Sequence, residues 1–261
     1  MSMLLVFKRI IQFIFSLYAF ILFAILIILI LFPCLVLCIP FGRIRGGNYM
    51  YELYRFFGNL WLKLIGIHHT TIYESRPKKE EQYIFIANHI SYLDAVVIIA
   101  SVKHHFRPIG KHELLRIPIF GFLYRFCVIT VNRSNADDRA RSLADLRKIL
   151  ARGISVVIFP EGTFNMADTP MKEMYDGAFR LSIEMGKKIQ PILFLDTYDR
   201  LHYRSIFSLT PGISRAVYLD PIDPKALKLE DPKALKEYAD TILTKKLIEY
   251  KATWIHPNYF K

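Results

Sequence analysis

The chain has 261 residues and a formal charge of +12. That length holds one globular domain of about 200 residues with a membrane segment, and it argues against a two-domain enzyme. The basic excess points to an anionic partner, whether a phospholipid surface, nucleic acid or a phosphorylated substrate. Cys34, Cys38 and Cys127 give neither a disulfide framework nor a paired zinc spacing, and reduced thiols in a cytosol-facing protein are expected.

Lys8, Arg9, Arg43 and Arg45 bracket a run, 10–41, that carries no charge and in which Gln12 and Ser16 are the distinctly polar residues. Residues 10–32 alone make a helix of about 35 Å, enough to cross a hydrocarbon core. A cleaved signal peptide fits badly, because the stretch is too long and no small-x-small cleavage site follows. Basic flanks beside apolar sequence make the membrane the best of the three anionic partners. Pro33 and Pro40 are expected to break or kink the helix. With both flanks basic, spanning and re-entrant paths stay open.

Gly46-Gly47 opens a second helical segment, 48–66. Glu52, Arg55, Asn59 and Lys63 recur at three- and four-residue steps and form one narrow polar stripe. Tyr51, Tyr54, Phe57, Leu60 and Trp61 belong to a wide apolar face suited to the membrane interface or to a core. Residues 1–67 are therefore expected to anchor a domain spanning 68–261.

That domain reads as strands at 70–73, 83–87, 106–110, 127–131, 155–159, 189–195 and 215–219. Between them lie helices at 95–102, 119–126, 137–152, where Ser134 and Asp137 resemble a capping box, and 171–185. Asp231-Pro232 caps a last helix that reaches about residue 251. Short strands alternating with helices predict a single α/β domain with a mostly parallel central sheet flanked by helices.

In such folds the acting residues lie at the carboxyl ends of strands. Three strand-end motifs fit that rule: Asn88-His89, Asn132-Arg133 and Pro160-Glu161-Gly162-Thr163. His89 stands five positions before Asp94, across a turn, the arrangement of a general base with an orienting carboxylate. Taken alone, such a pair is more often a surface pair or a satisfied turn. The three motifs together bring a base, a fixed cation and a Gly-containing loop to one cleft. The spacing suggests no metal and no cofactor: His68-His69 and His104-His105 lack zinc spacing, and no phosphate-binding glycine motif or nucleophile elbow occurs. Nucleic acid is not an expected partner, since a binder of it would interleave basic residues with aromatics on a polar surface, whereas the N-terminal aromatics sit in an apolar run.

From about residue 83 to 195 the sequence resembles the glycerophospholipid acyltransferases typified by 1-acyl-sn-glycerol-3-phosphate acyltransferase. Asn88-His89-x-Ser91-x-x-Asp94 matches that family's first block. Lys111, Gly121 and 128–133 look like the second, 159–163 the third, and Ile189-Gln190-Pro191-Ile192 the fourth. The resemblance implies transfer of a fatty acyl group from an acyl carrier protein or coenzyme A thioester to a lysophospholipid hydroxyl. It also implies a hydrophobic N-terminal segment that seats the domain on the bilayer, here at the cytoplasmic face of a bacterial inner or plasma membrane. His89 would be the base and Asp94 its support. Arg133 and Lys111 would grip the acceptor's phosphate, Glu161, Gly162 and Thr163 would form the acceptor loop, and Pro191 would shape the cleft wall.

One departure concerns the acceptor. Phe164 stands where the family usually has an arginine, which removes a second phosphate clamp unless Lys172 or Arg180 reaches in. A lyso-aminolipid acceptor is the alternative. From a different class, a non-catalytic membrane-binding module would satisfy the charge and the N-terminus, but it has no need of 88–94.

Overall fold

In the computed structural model, residues 3–132, 135–167 and 169–260 are described. The apolar N-terminal run forms one helix, α1 (Met3–Cys38), of which Val6–Val36 is long and apolar enough to cross a membrane. The break expected at Pro33 does not occur. The proline forfeits one hydrogen bond, but an apolar segment offers its other carbonyls no partner outside the helix, so the helix continues to Cys38.

A π-helical turn, Gly42–Gly46, reverses the chain into α2 (Gly47–Leu64). The two helices form a hairpin: the Trp61 indole N–H donates to the Ala19 carbonyl at 2.8 Å, and Ile30 and Cys34 pack with Met50. Tyr51, Trp61 and Leu62 are buried, while Phe56 and Leu64 remain exposed, so the aromatic face of α2 is chiefly core.

There follow β1 (Ile67–Tyr73), β2 (Tyr83–Ala87), α3 (Asp94–Ser101), β3 (Phe106–Lys111), α4 (Phe120–Cys127), β4 (Ile129–Val131) and α5 (Ala136–Ala151). The chain ends with β5 (Ser155–Ile158), α6 (Gly177–Met185), β6 (Lys188–Phe194), α7 (Thr197–Arg200), β7 (Gly212–Tyr218) and α8 (Pro232–Glu249). The seven strands make one sheet in the order β1-β7-β6-β2-β5-β3-β4. Strands β2 to β6 are mutually parallel, and β7 runs antiparallel to β6 with β1 parallel beside it. Every residue of β2 is buried, as expected of a strand covered on both faces. Ile84 and Ile86 enter the core under α5, α6 and α8, while Tyr83, Phe85 and Ala87 enter the one under α2 and α3.

Three local expectations are corrected. The helix expected over 171–185 begins only at Gly177, because the Lys172 N–H donates to Glu161 and the Tyr175 N–H to the Pro160 carbonyl, which holds the segment as a loop. Cys127 closes α4 instead of opening a strand. Ser134 lies outside the described residues, and α5 is capped by Asn135, whose side-chain oxygen accepts the Asp137 N–H at 2.8 Å.

Arg107 of β3 is buried, and its guanidinium donates to the carbonyls of Phe106, Arg43 and Ile44 and to Asn48 Oδ1. Burial lowers its pKa, yet an arginine remains protonated at neutral pH, so the sheet holds the π-helical turn through a fixed cation. A Cβ on Gly47 would lie 2.5 Å from that guanidinium, which is why the turn needs glycine there.

The end of β2 is locked to β6 by an amide pair: Asn88 Nδ2 donates to the Phe194 carbonyl at 3.1 Å, and the Phe194 N–H donates to Asn88 Oδ1 at 2.8 Å. Asn88→Ala leaves both backbone groups buried without partners and should lower unfolding free energy by about 2–4 kcal/mol. Denaturant midpoints in detergent micelles measure this, and an unchanged midpoint would contradict the pairing.

Candidate active site

Asn88 and its amide pair fix the point at which the chain leaves β2 and turns into α3. The next residue, His89, is held by its own backbone from the loop after β5. Its N–H donates to Glu161 Oε1 at 2.7 Å, and its carbonyl accepts the Asn165 N–H at 2.8 Å. The imidazole stacks on Phe159 with ring centres 4.3 Å apart, and the Phe164 ring stands 4.4 Å away on a tilt.

Asp94, the first residue of α3, is fully buried. Its Oδ2 accepts three hydrogen bonds: from His89 Nδ1 at 2.8 Å, from the Ile90 N–H at 2.7 Å and from the Ser91 N–H at 2.8 Å. The start of a helix favours a negative charge at that point. A carboxylate only accepts, so Nδ1 carries the ring proton and Nε2 is left as the acceptor. Ser91 closes the turn, its Oγ donating to the Leu201 carbonyl at 2.5 Å and accepting the Leu93 N–H at 3.0 Å. The His89 side chain is 16% exposed, which gives the open nitrogen a route to a reactant.

Glu161, expected in the acceptor loop, is 1% exposed, and both its oxygens accept backbone N–H groups, those of His89 and Lys172. Burial pushes its pKa from 4.5 up to about 8. Gly162 has φ +70°, and a Cβ there would meet the Tyr175 ring at 2.6 Å, so this turn requires glycine. Thr163 Oγ1 accepts a hydrogen bond from the Lys172 ammonium at 2.6 Å, which puts a cation at the residue before Phe164.

The structure thus gathers Asn88, His89, Ser91, Asp94, Pro160, Glu161, Gly162 and Thr163 at the carboxyl edge of β2 and β5. Lys111 is exposed at the same edge, at the end of β3 and opposite Val131. Arg133 lies outside the described residues. Pro191 is buried inside β6 opposite Ile86, so it belongs to the sheet and not to its rim. Arg180 is exposed on α6. Tyr92, 4.9 Å from Phe164, and Tyr203, 6.3 Å from it, complete an aromatic cluster beside His89. Neither carries a sequence signal, because a lone tyrosine in a loop reads like any other.

The family model described as acyltransferase matches residues 68–195. A curated 1-acyl-sn-glycerol-3-phosphate acyltransferase of Haemophilus influenzae is 27% identical over 234 residues, covering 85% of this chain and 94% of that protein. One from Borreliella burgdorferi is 32% identical over 166 residues, covering 63% of this chain and 64% of that protein. Among solved structures, the 1-acyl-sn-glycerophosphate acyltransferase of Thermotoga maritima superposes with a TM-score of 0.73 at 22% identity. It covers 94% of this chain and 99% of its own, a likeness of fold.

Glu161 makes stability depend on pH. Folded, it loses its proton near pH 8, whereas its ordinary pKa is 4.5, so between those values the folded chain holds a proton that the unfolded chain has released. Stability therefore falls as pH rises through that window, by up to ~1.4 kcal/mol per pH unit from this group. Its contribution is full below the lower value and gone above the upper one. Glu161→Gln should flatten this slope when denaturant midpoints are compared across the window, and parallel profiles for the two proteins would remove Glu161 as the titrating group.

Proposed function

We propose that the chain is an O-acyltransferase of the family whose model it matches over residues 68–195, and that premise gives its reaction. It moves a fatty acyl group from a thioester donor, acyl carrier protein or coenzyme A, to the free hydroxyl of 1-acyl-glycerol-3-phosphate. The product is phosphatidic acid. The observation that carries this reading is the His89–Asp94 contact at 2.8 Å, with Nε2 open at the carboxyl edge of the parallel strands.

His89 Nε2 takes the proton of the acceptor hydroxyl as its oxygen attacks the thioester carbonyl. A carbon–oxygen bond forms, the carbon–sulfur bond breaks, and the imidazolium returns its proton to the departing sulfur. Asp94 holds the tautomer and stabilises the imidazolium, as in a triad whose nucleophile is the substrate itself. No acyl-enzyme is required. Glu161 and Asn165 position the His89 backbone through N–H and carbonyl bonds.

For the acceptor's phosphate we assign Lys111 and Arg133, with Lys172 as the cation that offsets Phe164. The hydrogen bond from Lys172 to Thr163 supports this, and it favours a phosphate-bearing acceptor over a lyso-aminolipid. We assign residues 1–67 to seating the domain 68–261 on the cytoplasmic face of a bacterial membrane. The length and apolarity of Val6–Val36 support that placement.

Membranes containing the protein, an acyl thioester and a panel of lysolipids test the reading through release of free thiol. Transfer to 1-acyl-glycerol-3-phosphate is expected, and background release with every acceptor would favour a non-catalytic membrane module. His89→Ala should lower kcat by roughly 10²–10⁴-fold while the protein stays in the membrane fraction. Arg133→Ala and Lys172→Ala should mainly raise the acceptor KM, since a phosphate grip is made in ground and transition states alike. A change confined to the donor KM would contradict both assignments.

A further inference from the structure

Gln12 and Ser16 interrupt the apolar run of α1 that follows Arg9, and anchoring alone gives them no task. A polar group in such a segment is costly unless it is satisfied within the protein. Both are satisfied at the same place, the loop between β6 and β7. Gln12 Nε2 donates to the Ser208 carbonyl at 2.8 Å. Ser16, fully buried, donates to the Gln12 carbonyl at 2.8 Å and accepts the Leu209 N–H at 3.1 Å. Between them, the Phe13 ring packs on Phe207 with centres 4.8 Å apart.

From that clasp a continuous path leads to the catalytic turn. Ser208 Oγ accepts the His202 N–H at 2.8 Å, and His202 pairs with Ser91 in an antiparallel bridge. The neighbouring Leu201 carbonyl accepts the Ser91 hydroxyl, and the Ser91 N–H reaches Asp94 Oδ2. A second branch runs through rings, Tyr203 to Phe164 to His89. The loop is thus held by α1 at 207–209, and it holds the turn bearing the base at 201–203.

We propose that Gln12 and Ser16 are positioning residues for acyl transfer. By fixing 207–209 they keep Leu201 and His202 against Ser91, and so keep the Asp94 turn in register with His89. The inference rests on the reaction proposed above for its kinetic readout, but not for its structural one.

The test compares the full chain in lipid vesicles with a variant carrying Gln12→Leu and Ser16→Ala, and with Leu17→Ala, which changes an exposed residue of α1. The double variant should lose kcat on the order of tenfold, with both KM values and membrane association held. Leu17→Ala should retain the wild-type kcat. Hydrogen exchange at the Ile90 and Ser91 amides, both bonded to Asp94, should quicken in the double variant alone. Unchanged exchange at those amides overturns the proposal whatever the kinetics, and so does an equal loss of kcat in Leu17→Ala. If the wild-type chain transfers no acyl group, the reaction assignment fails, while the exchange comparison still decides the role of Gln12 and Ser16.

Discussion

A single carboxylate oxygen organises the site. Oδ2 of Asp94 collects one imidazole N–H and two backbone N–H groups. Burying a carboxylate in a sheet-and-helix core is costly, and three donors at a helix start offset that cost. The donors come from three consecutive residues, so the chain between β2 and α3 has to wrap around the oxygen. The side chain of His89 then has one direction to point, and its partner leaves only Nε2 for chemistry. Asn88 sets the same turn from the other side by pairing with the β6 backbone. The spacing of 88–94 is thus a packing requirement.

What was legible in the sequence was whatever is local in the chain. The apolar run 83–87 forms β2 at the expected residues, because a strand buried on both faces has no polar positions to confuse its limits. His89 and Asp94 share one turn, so their pairing is readable from spacing. Pro33 was misleading because the rule that proline ends a helix assumes water or another partner for the released carbonyls, and α1 offers neither. The helix at 171–185 shrank because the buried Glu161, in the loop before it, takes the Lys172 N–H, a bond that no periodicity foretells. For the same reason the Tyr92, Phe164 and Tyr203 cluster was invisible: its members come from three separate loops.

Phe164 takes on a different meaning once its surroundings are known. From sequence it is an absent arginine. In the fold it is a ring against the imidazole, which Phe159 covers on a stacked contact. Two rings packed against the imidazole make its surroundings apolar. Lys172 reaches Thr163, the residue before Phe164, from a later loop. Cation and ring have in effect been separated onto two residues.

The attachment of α1 follows from the same economy of polar groups. Past its end, the carbonyls of Arg43 and Ile44 in the π-helical turn receive the Arg107 guanidinium from β3. Near its start, Gln12 and Ser16 engage the loop before β7. Between those points Trp61 of α2 donates to Ala19, and Ile30 and Cys34 pack with Met50. A helix that served only as a tether would need none of these contacts, since apolar length alone holds a chain in lipid. Fastening it at two separated points fixes how the carboxyl edge of the sheet, which carries His89, faces along the helix.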